Sequence, residues 1–291
     1  MSSPVLARSK AELAAVRSGL AGPVVLVPTM GALHQGHRAL LRRARQVASP
    51  AGSIIVSVFV NPLQFGPAED YGRYPRGLDA DLAVCAQEGA DVVFAPGSAE
   101  MYPAEPLVRV DPGPIGEVLE GASRPGFFGG VLTVVLKLFS LVRPDVAIFG
   151  QKDAQQLALV RQMSADFNLG VHIDPVAIVR DSDGLAVSSR NAYLSAAERS
   201  VALALPRALD AGTRAAIAGP AAVRAAAWGV LTVAETGDPP LQPDYLALVD
   251  PVTFAEVSSA DRGAALLLVA AKVGPTRLID NAQLALGADG S

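Results

Sequence analysis

Cysteine and aromatic residues are scarce in this sequence. Its 291 residues include one cysteine, Cys85, and 5% are aromatic. Because a single cysteine cannot form an internal disulfide, we expect a reducing, cytoplasmic setting. The apolar, helical pattern around Cys85 favours a buried hydrophobic side chain over a nucleophile.

Strong net charge and long hydrophobic runs are also missing. The 24 Lys and Arg residues against 28 Asp and Glu residues give a net charge of -4. This balance argues against nucleic acid or an anionic membrane as a partner, so any phosphate site must be local. The longest apolar stretch, residues 126–142, is shorter than the roughly 20 residues of a membrane-spanning helix and contains Lys137. It predicts a buried helix.

Common nucleotide-binding and hydrolytic motifs are absent from the sequence. The chain has no G-x-x-x-x-G-K-[ST], the phosphate loop of many NTPases, and no G-x-G-x-x-G of dinucleotide-binding enzymes. It also lacks the G-x-S-x-G elbow that carries a serine nucleophile. A transfer reaction without a nucleophile from the protein is therefore the simplest hypothesis.

Short apolar, β-branched runs alternate with helical patterns in the first half of the chain. This alternation predicts a doubly wound, Rossmann-like parallel sheet of the α/β class, covered by helices on both faces. The predicted strands lie at residues 24–28, 53–60, 91–96, 145–150 and 171–179.

The pattern changes after about residue 180. Ala-rich helical segments cover 196–218 and 221–235, and two strand patterns follow at 244–250 and 264–273. We predict a Rossmann-like domain at 1–178 and a smaller C-terminal α+β domain at 179–291.

Two of the three histidines lie in "VPTMGALHQGH", after the first of the predicted strands. Backbone N–H groups at a helix N-terminus attract phosphate, and the imidazoles of His34 and His37 could donate further hydrogen bonds to it. The alternative is that one histidine caps the helix and the other packs in the core. Zinc is less favoured, because His172 and Cys85 are candidate third ligands without a recognisable spacing.

Three other segments place polar residues after predicted strands or at the domain junction. Asn61 and Gln64 follow the second predicted strand, Lys152 and Asp153 stand at a helix start, and Ser188–Arg190 lie near the junction. Ligands of open parallel sheets bind at the carboxyl ends of the strands. Taken singly, these segments could be an ordinary turn, a solvated Lys–Asp pair and a capping serine cluster. Their coincidence favours a site.

Several motifs together resemble the pantothenate synthetase family of ATP-dependent ligases. They are "VPTMGALHQGH", "FVNPLQF", "YPR", "RPGFFGGVLTVVLKLF", "FGQKDAQQL", "SSRN" and "TRLIDN", in order from about residue 24 to residue 281. The H-x-G-H motif alone would indicate only the wider nucleotidyltransferase superfamily. The resemblance implies that the carboxylate of (R)-pantoate attacks the α-phosphorus of Mg-ATP, and that the amine of β-alanine then displaces AMP. It also implies a homodimer.

The resemblance assigns roles residue by residue. His34, His37, Lys152, Ser188, Ser189 and Arg190 would act in catalysis, with His37 as proton donor. Gln64 would contact pantoate and β-alanine, Gln156 would contact pantoate, and Asn61 and Tyr74 would assist. The ATP site would comprise Met30, Gly31, Ala32, Leu33, His34, Gln35, Gly36, His37, Gly150, Gln151, Lys152, Asp153, Val179, Val187, Ser188, Ser189 and Arg190.

Three positions depart from the family pattern. Val187 stands where a methionine is expected, Phe127 where a histidine is expected, and Ala80 where an acidic residue is often found. Asp81 is the predicted protein aid to Mg²⁺, with Asp79 as an alternative, although ATP and water could hold most of the ion.

Two other functions are alternatives to that of a ligase. One is an enzyme of the same superfamily that transfers AMP to a phosphate. The other is a non-catalytic nucleotide-binding protein, since fold does not fix function.

Overall fold

The computed structural model describes residues 3–66 and 70–287. The helices are α1 (Lys10–Ser18), α2 (Gln35–Ala48), α3 (Leu78–Gln87), α4 (Ser98–Met101), α5 (Glu120–Ser123), α6 (Phe127–Val142), α7 (Ala154–Asp166), α8 (Ala196–Ala202), α9 (Ala204–Arg214) and α10 (Pro220–Glu235). The strands are β1 (Val5–Ala7), β2 (Val24–Thr29), β3 (Ser53–Val58), β4 (Val92–Phe94), β5 (Val146–Gly150), β6 (His172–Val176), β7 (Leu241–Val249), β8 (Gly263–Val273) and β9 (Thr276–Leu286).

Six strands form a parallel sheet in the order β1-β4-β3-β2-β5-β6. The predicted α/β class and doubly wound sheet are confirmed. Residues 24–27 of β2, residues 54–56 of β3 and all of β4 are fully or almost fully buried apolar residues, as expected for strands covered on both faces. The edge strand β1 was not predicted, because a strand of three residues is too short to give a periodic pattern.

The chain order reverses between β2 and β5. From β2 the chain moves outward to β3 and β4, and it then returns to place β5 on the other side of β2. β2 and β5 pair only at Val25 with Val146 and at Leu26 with Ala147. Since both strands continue beyond these pairs, the sheet opens at their carboxyl ends, which is where ligands bind in folds of this type.

The residues divide into two compact units. The first comprises Met1–Gln151 and Gln155–Ala177, and the second comprises Lys152–Ala154 and Ile178–Ser291. In the first unit the buried helix α6 confirms the helix predicted at 126–142, with nine buried residues that include Phe128, Leu132 and Phe139. Among the described residues, no helix is long and apolar enough to cross a membrane.

The second unit contains an antiparallel sheet in the order β7-β8-β9. Its core contains side chains of α9 and α10 and of the sheet, among them Leu205, Val223 and Leu267. The strand β9 was not predicted, because Asp280 and Asn281 interrupt its apolar pattern and such residues are depleted in strands. Both are buried and bonded: Asp280 pairs with Arg180, and Asn281 donates to the backbone C=O of Lys152.

Candidate active site

The loop after β2 is held by side chains from two neighbouring elements. Thr29 Oγ1 donates to the C=O of Ser57 at 2.7 Å and accepts the N–H of Gly31 at 3.2 Å. The carboxylate of Asp81, from the first turn of α3, accepts the N–H groups of Ala32 and Leu33 at 3.1 and 2.8 Å. The loop therefore has a defined shape before it reaches α2.

His34 and His37 together cap the N-terminus of α2. His34 is the N-cap residue, and its Nδ1 accepts the N–H of Gly36 at 3.1 Å. Nδ1 of His37 accepts the N–H of His34 at 3.2 Å, and the two ring centroids lie 4.1 Å apart. Since Nδ1 is an acceptor in each bond, the neutral rings carry their protons on Nε2. The cap that the sequence offered as an alternative is present, and it leaves each ring one donor.

Burial lowers the pKa of His37 to about 3, and the neighbouring His34 contributes to this lowering. His37 is therefore a neutral hydrogen-bond donor near pH 7. Gly36 permits this arrangement, because a Cβ there would lie 2.9 Å from Cε1 of His34. Gln35, the other residue of the H-x-G-H turn, is exposed.

Gly150 and Gln151 follow β5, the strand beside β2. Gly150 is the last residue of β5, and Gln151 starts the short 3-10 turn Gln151–Asp153. In the first unit the predicted ATP residues of these two loops therefore follow adjacent strands at the point where the sheet opens.

Asn61 is buried and holds the 3-10 turn Pro62–Gln64. Its Nδ2 donates to the C=O of Gly130 at 3.0 Å and to Oε1 of Gln64 at 3.2 Å, while its Oδ1 accepts the Tyr102 hydroxyl at 3.0 Å. Burial raises the pKa of Tyr102 to about 12, which keeps this donor protonated. The bonds of Asn61 all serve the turn that carries Gln64.

Gln64 lies beside Met30 and Arg124. Its Nε2 is 2.9 Å from the sulfur of Met30, and its backbone C=O accepts a hydrogen bond from Arg124 at 3.2 Å. The Arg124 guanidinium also lies 3.6 Å from the ring centroid of Phe127. The structure thus brings together Met30 and Gln64. The sequence did not predict Arg124 as a site residue. The available signal was Phe127, which stands where the family pattern has a histidine and packs against the Arg124 guanidinium.

The remaining predicted substrate residues lie on separate elements of the first unit. Tyr74 is buried, with its ring edge toward Phe65 at 6.1 Å between centroids. Gln156 is half-buried on α7. Its neighbour Gln155 is buried and donates to the C=O groups of Ile115 and Val118 at 2.6 and 2.8 Å. The sequence did not predict a role for Gln155, because composition does not distinguish the adjacent Gln155 and Gln156.

Lys152 and Asp153 belong to the second unit. The backbone C=O of Lys152 accepts Nδ2 of Asn281 at 2.9 Å, which anchors the turn to β9. Within residues 3–66 and 70–287, the ammonium group of Lys152 makes no hydrogen bond or ion pair, and Asp153 is exposed. The backbone of Lys152, and not its side chain, therefore anchors the turn.

A short hairpin carries Val179 and Val187. The C=O of Val179 accepts the N–H of Val187 at 2.9 Å. Arg180 pairs with Asp280 at 2.6 Å, and Arg199 pairs with two acidic residues of the hairpin tip at 2.7 and 2.8 Å. The tip residues are Asp181 and Asp183. The sequence did not predict Arg180 and Arg199 as residues of the site. Their ion pairs hold the hairpin from both sides.

Ser188–Arg190 follow this hairpin and begin the 3-10 helix Ser189–Tyr193. Oγ of Ser188 accepts the N–H of Arg190 at 3.3 Å, and Nδ2 of Asn191 donates to the C=O of Ala186 at 3.0 Å. Lys152 and Ser188 line the same small cavity, beside Asn191. Oδ1 of Asn191 is buried there without a described partner.

No cluster of three or more metal-ligating side chains occurs in the part of the chain that the structure describes. Both oxygens of Asp81 are taken by backbone N–H groups, and Asp79 is exposed. The side chains of the described residues therefore do not form a cage for Mg²⁺.

A model of the family described as pantoate-beta-alanine ligase matches residues 5–283. The chain belongs to this family. Pantothenate synthetase from Thermobifida fusca is 61% identical over 289 residues, which cover 97% of this chain and 96% of that protein. The Acidothermus cellulolyticus enzyme is 57% identical over 283 residues, covering 96% and 91%.

Solved structures of pantoate-beta-alanine ligases share this fold. Pantothenate synthetase from Thermus thermophilus has a TM-score of 0.88 at 45% identity and covers 96% of this chain and 98% of that one. The Francisella tularensis ligase, complexed with beta-gamma ATP and beta-alanine, has a TM-score of 0.78 at 30% identity, with 96% and 97% covered. The prediction of an ATP-dependent ligase that joins pantoate to β-alanine is confirmed.

Proposed function

We propose that this ligase works through a pantoyl adenylate. A carboxylate oxygen of (R)-pantoate attacks the α-phosphorus of ATP, and pyrophosphate leaves. The amine of β-alanine then attacks the acyl carbon and loses a proton, and AMP leaves with the oxygen that came from pantoate. Both nucleophiles belong to substrates, so the protein supplies orientation and stabilises charge.

The observation that carries this proposal is the histidine pair at the N-terminus of α2. Two neutral rings with protons on Nε2, together with the helix N-terminus, form a site that binds phosphate oxygens without a cation. We assign Met30–His37, Gly150 and Gln151 to ATP. In this role His37 donates a hydrogen bond to a phosphate rather than acting as a cationic acid, because its pKa of about 3 leaves it neutral.

We assign pantoate and β-alanine to the residues around Gln64. The amide of Gln64, next to the apolar side chain of Met30, suits a hydroxy acid with a branched carbon skeleton. Gln156 serves as a second amide contact to pantoate, and Tyr74 packs against the apolar carbon skeleton of pantoate. Asn61 acts through Gln64, because it is buried and its bonds hold the turn.

We assign further ATP contacts to Lys152 and to the smaller C-terminal domain, residues 179–291. Lys152 and Ser188, Ser189 and Arg190 bind the triphosphate and stabilise the charge that develops as pyrophosphate leaves. Asp153 contacts the ribose, and Val179 and Val187 meet the adenine. A backbone contact with adenine tolerates valine in place of methionine at position 187.

ATP enters as its magnesium complex, with the ion held by phosphate oxygens and water. The lack of a protein cage among the described residues is compatible with this arrangement. The ligase acts as a homodimer in the cytoplasm, without nucleic acid or a membrane as partner. The Francisella tularensis complex supports ATP and β-alanine as substrates.

An omission experiment tests the reaction. ATP consumption is followed with pantoate alone, with β-alanine alone and with both. We expect pyrophosphate in an amount that matches the enzyme when pantoate is present alone, and sustained AMP release only with both. Sustained transfer of AMP to a phosphorylated acceptor, with no response to pantoate, would instead favour the AMP-transferring relatives of the superfamily. ATP binding without turnover under all three conditions would favour a non-catalytic protein.

A further inference from the structure

We infer that Asp81 is a positioning residue for ATP, which holds the Gly31–Leu33 turn in the conformation that presents His34 and His37. This inference rests on the proposed ATP site. It gives Asp81 a role other than binding magnesium.

The carboxylate of Asp81 is buried, and each of its oxygens accepts one backbone N–H of the turn. The residue is 3% exposed, with Oδ1 2.8 Å from the N–H nitrogen of Leu33 and Oδ2 3.1 Å from that of Ala32. The residue that follows Leu33 is His34, the N-cap of α2. Asp81 thus holds the backbone directly before the imidazole pair.

The turn needs such support because its backbone is unusual. Gly31 and Ala32 have φ values of +88° and +53°, and a residue with a Cβ resists positive φ. A Cβ on Gly31 would lie 2.8 Å from Oδ2 of Asp81 and 3.0 Å from Cγ1 of Val58. The turn is therefore shaped around the carboxylate, and two charge-assisted hydrogen bonds hold Ala32 in its left-handed conformation.

A magnesium ligand would need different surroundings. A carboxylate oxygen that accepts a backbone N–H at normal distance has less lone-pair density to give to a cation. The negative charge of Asp81 is balanced by two N–H groups and by the first turn of α3, where acidic residues are stabilised. A charge balanced in this way repels the phosphates of the proposed ATP site less strongly.

The test compares Asp81→Asn with Asp166→Asn. Asp166 is exposed at the end of α7 and has no proposed role, so its substitution removes the same charge without touching the loop. An asparagine at position 81 would present an NH₂ group to one of the two N–H donors and lose that bond. We expect kcat/KM for ATP, measured as pantoate-dependent pyrophosphate formation, to fall by about 10²-fold in Asp81→Asn because KM for ATP rises. In Asp166→Asn the same quantity should stay close to that of the unmodified enzyme.

Magnesium titration separates the two roles. In Asp81→Asn the half-saturating magnesium concentration should be unchanged, and excess magnesium should not restore activity. Recovery at high magnesium would overturn the inference, and so would equal kinetics in the two variants. An inactive unmodified enzyme would instead count against the proposed function.

A measurement on the unmodified enzyme covers the case in which Asp81→Asn does not fold. The amide protons of Ala32 and Leu33 should resonate downfield and exchange slowly with solvent, as expected for buried donors to a carboxylate. Rapidly exchanging amides at random-coil shifts would contradict the inference.

Discussion

His34 and His37 cap the start of α2 through their Nδ1 atoms, so the neutral rings carry their protons on Nε2. The N–H of His34 donates to Nδ1 of His37 at 3.2 Å, and the N–H of Gly36 donates to Nδ1 of His34 at 3.1 Å. One nitrogen of each ring therefore supports the helix, and in the proposed ATP site the other donates to a phosphate oxygen.

Replacement of His37 by alanine should slow pyrophosphate formation by about 10²- to 10³-fold, because a donor to developing charge is lost. The same change should lower the free energy of unfolding by about 1 kcal/mol, since a cap is removed. Stopped-flow detection of pyrophosphate and urea denaturation measure the two effects. His172→Ala is the control, because His172 is exposed at the start of β6. Pyrophosphate formation at the normal rate in His37→Ala would contradict the role.

The ring of His37 should stay neutral through the range in which ordinary histidines titrate. Its folded-state pKa is about 3, below the ordinary value of 6.5. Between these values the unfolded chain binds the extra proton, so the contribution of His37 to stability is present above about pH 6.5 and is lost as the pH falls toward 3. Histidine NMR shifts should show no titration of His37 between about pH 8 and about pH 5. A titration midpoint of His37 near pH 6.5 would contradict this account.

Gly130→Ala should disturb the turn that carries Gln64. A Cβ at residue 130 would overlap the backbone C=O of Leu63, whereas a Cβ at Gly129 would meet its nearest atom at 3.4 Å. We expect Gly130→Ala to destabilise the protein by about 1–3 kcal/mol through overpacking, and to raise KM for pantoate. Gly129→Ala, in the same helix, should be neutral or stabilising by up to about 1 kcal/mol. Equal effects of the two substitutions on KM and on urea midpoints would contradict this reasoning.

Lys152→Ala should lower the rate of adenylate formation by about 10²-fold or more, because the ammonium group no longer stabilises the leaving pyrophosphate. The fold should be intact, since the turn is anchored by the backbone C=O of Lys152 and not by its side chain. Lys272→Ala, at an exposed position of β8, is the control. Rapid-quench measurement of the first turnover separates this effect from product release. An unchanged first turnover in Lys152→Ala would remove Lys152 from the mechanism.

The sequence predicted the elements that have strong periodicity. Buried strands such as β2 and the apolar helix α6 are confirmed, because continuous burial leaves a continuous apolar pattern. β1 was missed for its length, and β9 was missed because its buried polar residues are compensated by partners far along the chain. Arg180, which pairs with Asp280, is 100 residues away from it.

The candidate site could be predicted as a set of loops but not as a set of contacts. Strand ends and glycines pointed to His34 and His37, since these features are local. The sequence predicts Asp81 and Asn61 as ligand contacts, whereas the structure shows their bonds to the backbone and to Gln64. Such supporting bonds depend on the tertiary fold and leave no local pattern.

Oxygen transfer from pantoate tests the central claim most directly. The enzyme is given ATP, β-alanine and pantoate labelled with ¹⁸O in its carboxylate, and the products are analysed by mass spectrometry. The account predicts that the AMP released carries one labelled oxygen, and that the pyrophosphate carries none. Unlabelled AMP, or label in inorganic phosphate or pyrophosphate, would contradict an acyl adenylate.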